Sequence, residues 1–355
     1  MKKFDPNGSA LPDSGIFGLP HSLEEANTVI IPAPWEATVS YGSGASDGPS
    51  SMLLASKYVE LFDKELGNFY ENGIAMPKEP TALKKANIRA KNIATKLIEA
   101  DPKKISLQRQ KDMFAEVNRL CEYMNDYVFI QTNNYLRAGK IVGLAGGEHS
   151  VSLGCIRAHI KKYPKMGILQ IDAHADLRES FEGFTYSHAS IMFNVLKEVK
   201  PSRLVQVGVR DYCEEEYSRI QQSHGRVVTF FDRDLIEGST KTWSHTCERV
   251  VAQLPSEVYI SLDVDGLDPV NCPNTGTPVP GGLTYKEVIL LIKKLADSGR
   301  KIVGFDLVEV APYNAKDPHD WNANVGAHLL YQLAGWCMKT NPAPRMPSLR
   351  DSWRR

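Results

Sequence analysis

The sequence has no charge excess: Lys plus Arg and Asp plus Glu each number 42 in 355 residues, so the formal net charge is zero. A chain without surplus positive charge has little with which to neutralise phosphates or anionic lipid, which argues against nucleic acid and membrane surfaces as partners. No apolar run approaches the length that a bilayer span requires. The start, MKKFDPNGSA, leads into polar and Pro/Gly-rich sequence instead of the apolar core of a signal peptide. The expectation is a soluble, cytoplasmic protein. Cysteine is sparse and unpatterned. Cys121, Cys155, Cys213, Cys247, Cys272 and Cys337 show no C-x-x-C spacing and sit mostly in apolar segments, which fits buried reduced thiols better than a disulfide frame or a structural zinc site.

What is present is enough apolar sequence, 42% of the chain, to bury one large α/β core. Short β-branched runs at 28–32, 59–63, 141–145, 167–172, 204–209, 227–231, 258–264 and 302–308 read as strands. They alternate with stretches carrying apolar residues at three- and four-residue spacing, near 47–57, 150–162, 188–199, 213–222, 243–253, 285–296 and 324–338, which read as helices. This alternation predicts a three-layer α/β/α domain over 1–341 with a roughly eight-stranded parallel sheet. The segment from about 67 to 138 breaks the rhythm, with a polar Lys- and Ala-rich stretch before one long helical pattern over 107–136. It reads as a helical insertion that either covers the sheet or serves oligomer contacts or pocket closure. The Pro/Arg-rich end, 342–355, reads as a disordered tail or a remnant foreign to the domain.

Three islands set imidazoles and carboxylates where strands end, the place at which open α/β sheets collect ligands. Gly146-Gly147-Glu148-His149-Ser150 turns sharply at its glycines and presents His149, which taken alone is as easily a structural histidine. Asp172-Ala173-His174-Ala175-Asp176 follows an apolar run, and alternation along an extended chain would put Asp172, His174 and Asp176 on one face. Carboxylates that close would not both ionise without a cation between them. Asp263-Val264-Asp265 repeats this logic after Val258-Tyr259-Ile260, whereas Asp268-Pro269 reads as the turn leaving the strand. Two imidazoles and four carboxylates are too acidic a set for structural zinc and suit two hard or borderline divalent ions such as Mn²⁺.

Together these motifs resemble the ureohydrolase superfamily, which includes arginases, agmatinases, formimidoylglutamases and guanidinases. The match covers most of the chain: GGEHS at 146–150, DAHAD at 172–176, SHAS at 187–190, SLDVDGLDP at 261–269, TGTPVPGGLT at 275–284 and GFDLVEVAP at 304–312. The resemblance leans toward the agmatinase branch. It implies an arginase-like fold and two Mn²⁺ ions per subunit, or Ni²⁺ if the substrate is guanidine itself. One ion would be held by His149, Asp172, Asp176 and Asp263, the other by His174, Asp172, Asp263 and Asp265, with Asp172 and Asp263 bridging. It further implies proton transfer by Asp176, a proton shuttle at His188, a guanidinium grip at Glu309 and a pocket-lining Thr277. A structural role stays open for His188, and Asp306 competes with Glu309 as the acid of the last strand. In the long stretch 313–324, Trp321 is a candidate aromatic wall for a cationic substrate.

The implied activity is hydrolysis of a small guanidino compound, agmatine-like, to urea and an amine. Guanidine hydrolysis to urea and ammonia is the alternative, and a catalytically silent regulatory or structural homologue the alternative of another class. A homo-oligomer, trimeric or hexameric, is expected from the family. Glu148 stands where Asp is usual, and the 187–190 segment lacks the Gly and Thr found in many agmatinases.

Overall fold

A computed structural model describes residues 4–11, 13–39, 41–99, 105–236 and 242–342. The tail expected from 342 lies, from 343 onward, outside the described residues. Eight strands form one sheet in the order β2-β1-β3-β8-β7-β4-β5-β6, every pairing parallel. They are β1 Thr28–Ala33, β2 Ile74–Ala75, β3 Ile141–Gly146, β4 Gly167–Ile171, β5 Leu204–Val209, β6 Val227–Phe231, β7 Glu257–Asp263 and β8 Lys301–Val308. The helices that connect or cover them are α1 Gly48–Ala55, α2 Thr81–Glu99, α3 Leu107–Arg137, α4 Ser152–Lys162, α5 Ile191–Asn194, α6 Glu214–Gln222, α7 Asp232–Ile236, α8 Trp243–Ala252, α9 Tyr285–Asp297 and α10 Trp321–Thr340.

Alternation along the strands feeds two apolar layers. Val258, Ile260 and Leu262 of β7 pack into the layer built with α8, α9 and α10, while Tyr259 turns to the opposite layer, built with α2, α3 and α4. Strands buried on both faces are nearly continuous hydrophobic runs, which is why seven of the eight were readable from the sequence.

The expected strand at 59–63 is not one. Val59 and Leu61 are buried and their neighbours Glu60 and Phe62 exposed, so the period-2 pattern was real. The extended segment lies against α10 instead of a strand, with Tyr331 Oη donating to the Leu61 carbonyl and Gln332 Nε2 to Asp63 Oδ2 at 2.9 Å. The edge position belongs to the two-residue β2, inside the segment read as an insertion. That segment also holds α2, whose inward stripe of Leu83, Asn87, Ala90 and Ala94 is too small and polar to stand out from composition. The helix expected over 188–199 is broken into a 3₁₀ turn at His188–Ser190, α5, and a π-turn at Val195–Val199, ending at Lys200 with φ 56°.

The sheet order carries the functional consequence. Strands β3, β8, β7 and β4 are central neighbours, level at their carboxyl ends through the pairs Ala145↔Leu307, Asp263↔Val308 and Ile171↔Leu262. The chain leaves β3 and returns at β4 with β8 and β7 lying between them, which opens a crevice where the three islands meet.

Candidate metal centre

His149 follows β3 in a turn that requires glycine. A Cβ on Gly147 would lie 2.1 Å from the Trp35 carbonyl oxygen, so the backbone can pass only without a side chain. The imidazole is buried, with Nδ1 standing 3.1 Å from Asp172 Oδ2, 3.0 Å from Asp176 Oδ2 and 3.3 Å from Asp263 Oδ2. Asp172 immediately follows β4. Asp176 is reached by an irregular loop in which Asp176 itself has φ 55°, a left-handed conformation that an L-residue adopts at a cost. The convergence expected from strand alternation thus comes about through a loop.

On the other side of Asp172, His174 Nδ1 lies 3.0 Å from Asp265 Oδ2 and 3.6 Å from Asp172 Oδ1. The two groups His149–Asp172–Asp176 and Asp172–His174–Asp265 each have ligand atoms within 4.8 Å of one another and share Asp172. Asp263 joins them, since its Oδ1 accepts from the Asp265 amide at 2.9 Å while its Oδ2 faces His149. All six residues picked from sequence therefore meet in one crevice.

The tautomer of His149 tests whether cations fit here. Ser261 Oγ donates to Asp306 Oδ1 at 2.9 Å and, its proton spent, can only accept from His149 Nε2, also at 2.9 Å. The Nε2–H form leaves an Nδ1 lone pair with no hydrogen-bond partner, aimed at three carboxylate oxygens. A lone pair facing negative oxygens at about van der Waals contact is repulsive unless a cation lies between them. Where no ion lies between them, a proton meets the same demand: burial opposes ionisation of His149, but hydrogen bonds to Asp172, Asp176 and Asp263 outweigh it and hold the imidazole well above its usual range. Burial, then Asp172, pushes the Asp176 carboxyl up to about 7, and burial with Asp265 and Asp172 holds Asp263 well above the usual range. Burial opposes ionisation of His174, but Asp265 and Asp172 outweigh it and raise the imidazole to about 12.

Glu309 follows β8 with φ 62°. Its Oε1 accepts from the His149 amide at 2.9 Å, and its Oε2 faces Gly276, 3.5 Å from where a Cβ would stand. Glu309, His188, Thr277, Gly276, Val39, Tyr41 and Gly42 line a cavity of about 10 Å³ beside the carboxylate cluster. Thr277 Oγ1 also donates to Asp265 Oδ2 at 3.3 Å, which links that wall to the cluster. His188 is largely buried, its Nδ1 3.8 Å from Glu148 Oε2, and burial reinforced by His174 and His149 lowers it to about 4. Trp321 stands apart: its indole is half-exposed at the start of α10, donates to the Val270 carbonyl at 3.0 Å, and does not line this cavity.

Sequence reasoning gave no role to several residues that shape the site. Ser261 sat inside a recognised motif without an assignment, and Asp306, the rival of Glu309, proves to stand behind Ser261. Glu148 accepts from the Ala37 amide at 3.2 Å and from Thr38 Oγ1, a reach across to the 35–47 segment. Buried Glu36 pairs with Lys91 of α2 and accepts from the Gly44 and Ser46 amides, while its own amide donates to Asn87 Oδ1 of α2. The 67–138 segment thus braces the loop that supplies Val39, Tyr41 and Gly42 to the cavity wall.

A buried cluster of two imidazoles and four carboxylates at the switch point of a parallel sheet defines a metal-dependent hydrolase class of site. The family model described as "Arginase family" matches residues 26–335, and the chain belongs to that family. It is 34% identical over 289 residues, 81% of this chain and 84% of the other, to the N(1)-aminopropylagmatine ureohydrolase of Thermus thermophilus. It is 31% identical over 299 residues to the agmatinase of Bacillus anthracis, covering 82% and 86% of the two chains. Among solved structures it is similar to the agmatine ureohydrolase of Thermoplasma volcanium, with a TM-score of 0.69, 26% identity, and 90% and 93% of the chains covered.

Proposed function

We propose that the protein hydrolyses a guanidino compound to urea and an amine with two divalent cations. His149, Asp172, Asp176 and Asp263 would hold one, and His174, Asp172, Asp263 and Asp265 the other. The observation that carries this is the convergence of His149 Nδ1 on three buried carboxylates and of His174 Nδ1 on Asp265 and the shared Asp172, a crowding that two cations relieve. An all-O,N donor set rich in carboxylate favours Mn²⁺. When bound, such ions supply Lewis acidity and bring the pKa of water toward neutrality.

The chain's own residues supply orientation and proton movement. Glu309 has one oxygen pinned by the His149 amide, leaving Oε2 to accept from a guanidinium N–H with charge-assisted strength. That grip places the planar carbon beside the cluster, and Thr277 shapes the adjoining wall. One C–O bond forms, one C–N bond breaks, and the proton lost by water ends on the leaving nitrogen. The Asp176 carboxylate is the group that takes and returns that proton, and neutral His188 exchanges protons with solvent.

The names of the relatives favour agmatine or an agmatine derivative as substrate. Guanidine itself is the second reading, and Ni²⁺ belongs with it. The retention of all six ligating residues speaks against a silent homologue. By likeness to the family, the protein is proposed to be a cytoplasmic homo-oligomer of three or six copies; among the described residues no helix is long and apolar enough to cross a membrane. The test is urea release from agmatine, N1-aminopropylagmatine, 4-guanidinobutyrate, arginine and guanidine, each with Mn²⁺ and with Ni²⁺. Silence with every substrate would refute the proposal.

A further inference from the structure

Arg210 lies just past the end of β5, outside all three acidic islands, yet its guanidinium is aimed at five backbone carbonyls. Nη2 reaches Asp265 O at 2.7 Å, Val279 O at 3.0 Å and Leu267 O at 3.2 Å. Nη1 reaches Gly208 O at 3.0 Å and Gly266 O at 3.5 Å, and Nε reaches Val279 O at 3.3 Å. Its backbone amide donates to Ala173 O at 2.8 Å, as does that of Asp211 at 3.1 Å. One residue therefore grips the backbone of Asp265 with its side chain and the peptide between Asp172 and His174 with its main chain. Through Val279 it also holds the loop that carries Thr277 to the cavity. None of its contacts reaches His149 or Asp176.

A guanidinium is suited to this, because its five N–H groups form a rigid planar fork that a lysine ammonium cannot reproduce. Close packing confirms the fit: a Cβ on Gly282, at φ 99°, would lie 2.7 Å from Arg210 Nη2 and 2.7 Å from the Leu267 carbonyl oxygen.

We propose that Arg210 is a positioning residue for the His174–Asp265 half of the centre, setting the affinity of the second cation while leaving the His149–Asp176 half intact. The inference rests on the two-ion reading above. Groups that orient metal ligands from behind are each worth about 10- to 100-fold in metal affinity.

The experiment refills the full chain, stripped by chelation, with MnCl₂ and follows binding by calorimetry and by the Mn²⁺ spin signal. Wild type should take two ions. Arg210→Lys should keep the tighter one within about threefold and bind the other about 10- to 100-fold more weakly, and excess Mn²⁺ should recover part of the lost kcat. Thermal unfolding monitors the fold. Should Arg210→Lys fail to fold, Gly282→Ala, which wedges the guanidinium from its seat, is expected to give the same selective loss. Two ions bound by both variants with wild-type affinity, equal weakening of both ions, or failure of both variants to fold would each overturn the inference. Wild type that binds fewer than two ions would instead remove the two-ion reading itself.

Discussion

Replacing Ser261 with Ala tests the tautomer argument at its root. The Ser261 hydroxyl is the acceptor for His149 Nε2 and the donor to Asp306 Oδ1, both at 2.9 Å and both buried. Without it, a buried N–H loses its partner, at about 1–3 kcal/mol. The imidazole can avoid that cost by carrying its proton on Nδ1, where three carboxylate oxygens within 3.3 Å stand ready to accept it. That proton then competes with the cation for the same space. If the whole cost falls on the ion-bound state, affinity for the ion beside His149 drops by about 5- to 150-fold. Calorimetric Mn²⁺ titration of the chelated protein reads this directly. Ser152→Ala is the control, since Ser152 faces the same Asp306 without touching His149. Wild-type affinity in Ser261→Ala would refute the claim that Ser261 fixes the tautomer.

Asp263→Ala should release both ions and abolish turnover, because Asp263 faces His149 through one oxygen and holds the Asp265 amide through the other; metal analysis showing two retained ions would contradict it. Glu309→Gln keeps an acceptor for the His149 amide but removes the charge facing the substrate. It should lower kcat/KM by about 10- to 150-fold, the 1.5–3 kcal/mol of a charge-assisted hydrogen bond, with ion content unchanged. Buried His159, its Nδ1 2.9 Å from the Cys155 carbonyl, is held down at about 4 by burial. Its folded pKa lies below the unfolded 6.5, so the unfolded chain takes the proton first. The stabilisation is complete above 6.5 and lost as pH falls toward 4, by up to about 3 kcal/mol. Urea unfolding in chelator at pH 7 and pH 4.5 should show a smaller acid loss in His159→Gln than in wild type; equal losses would discount His159.

The sheet was legible because parallel strands buried on both faces leave uninterrupted β-branched runs, and the ligand islands were legible because buried acids at strand ends have few structural explanations. The 59–63 segment misled through a true pattern: alternating burial specifies an extended chain, not whether its backbone pairs with a strand or, as here, with side chains of α10. Helix α2 escaped because Ala90 and Ala94 form an inward face without bulk, and β2 because two residues carry no period. Trp321 attracted a role through its residue type, but only the fold could place its indole on Val270 instead of in the cavity. The supporting residues were hidden for a different reason. Ser261 and Arg210 act across sheet neighbours far apart in sequence, and Arg210 does so through backbone carbonyls, which carry no residue identity to read.

The site also has a thermodynamic consequence for the whole fold. Asp263 and Glu309 are held well above the usual carboxylate range, first by burial and then by neighbouring acids, and Asp176 and Glu309 occupy left-handed backbone that costs about 1–3 kcal/mol each. These costs fall at the carboxyl ends of β7 and β8 and on the loop that leaves β4, all at the centre of the sheet. Cations bound there would offset the crowding only in the folded chain, adding about 2.7 kcal/mol for each site at a free concentration one hundred times its Kd. Ions held by these residues would thereby become a structural element of the sheet centre. Catalytic competence and global stability should accordingly fall together on chelation, with the melting temperature following free Mn²⁺ even where no substrate is present.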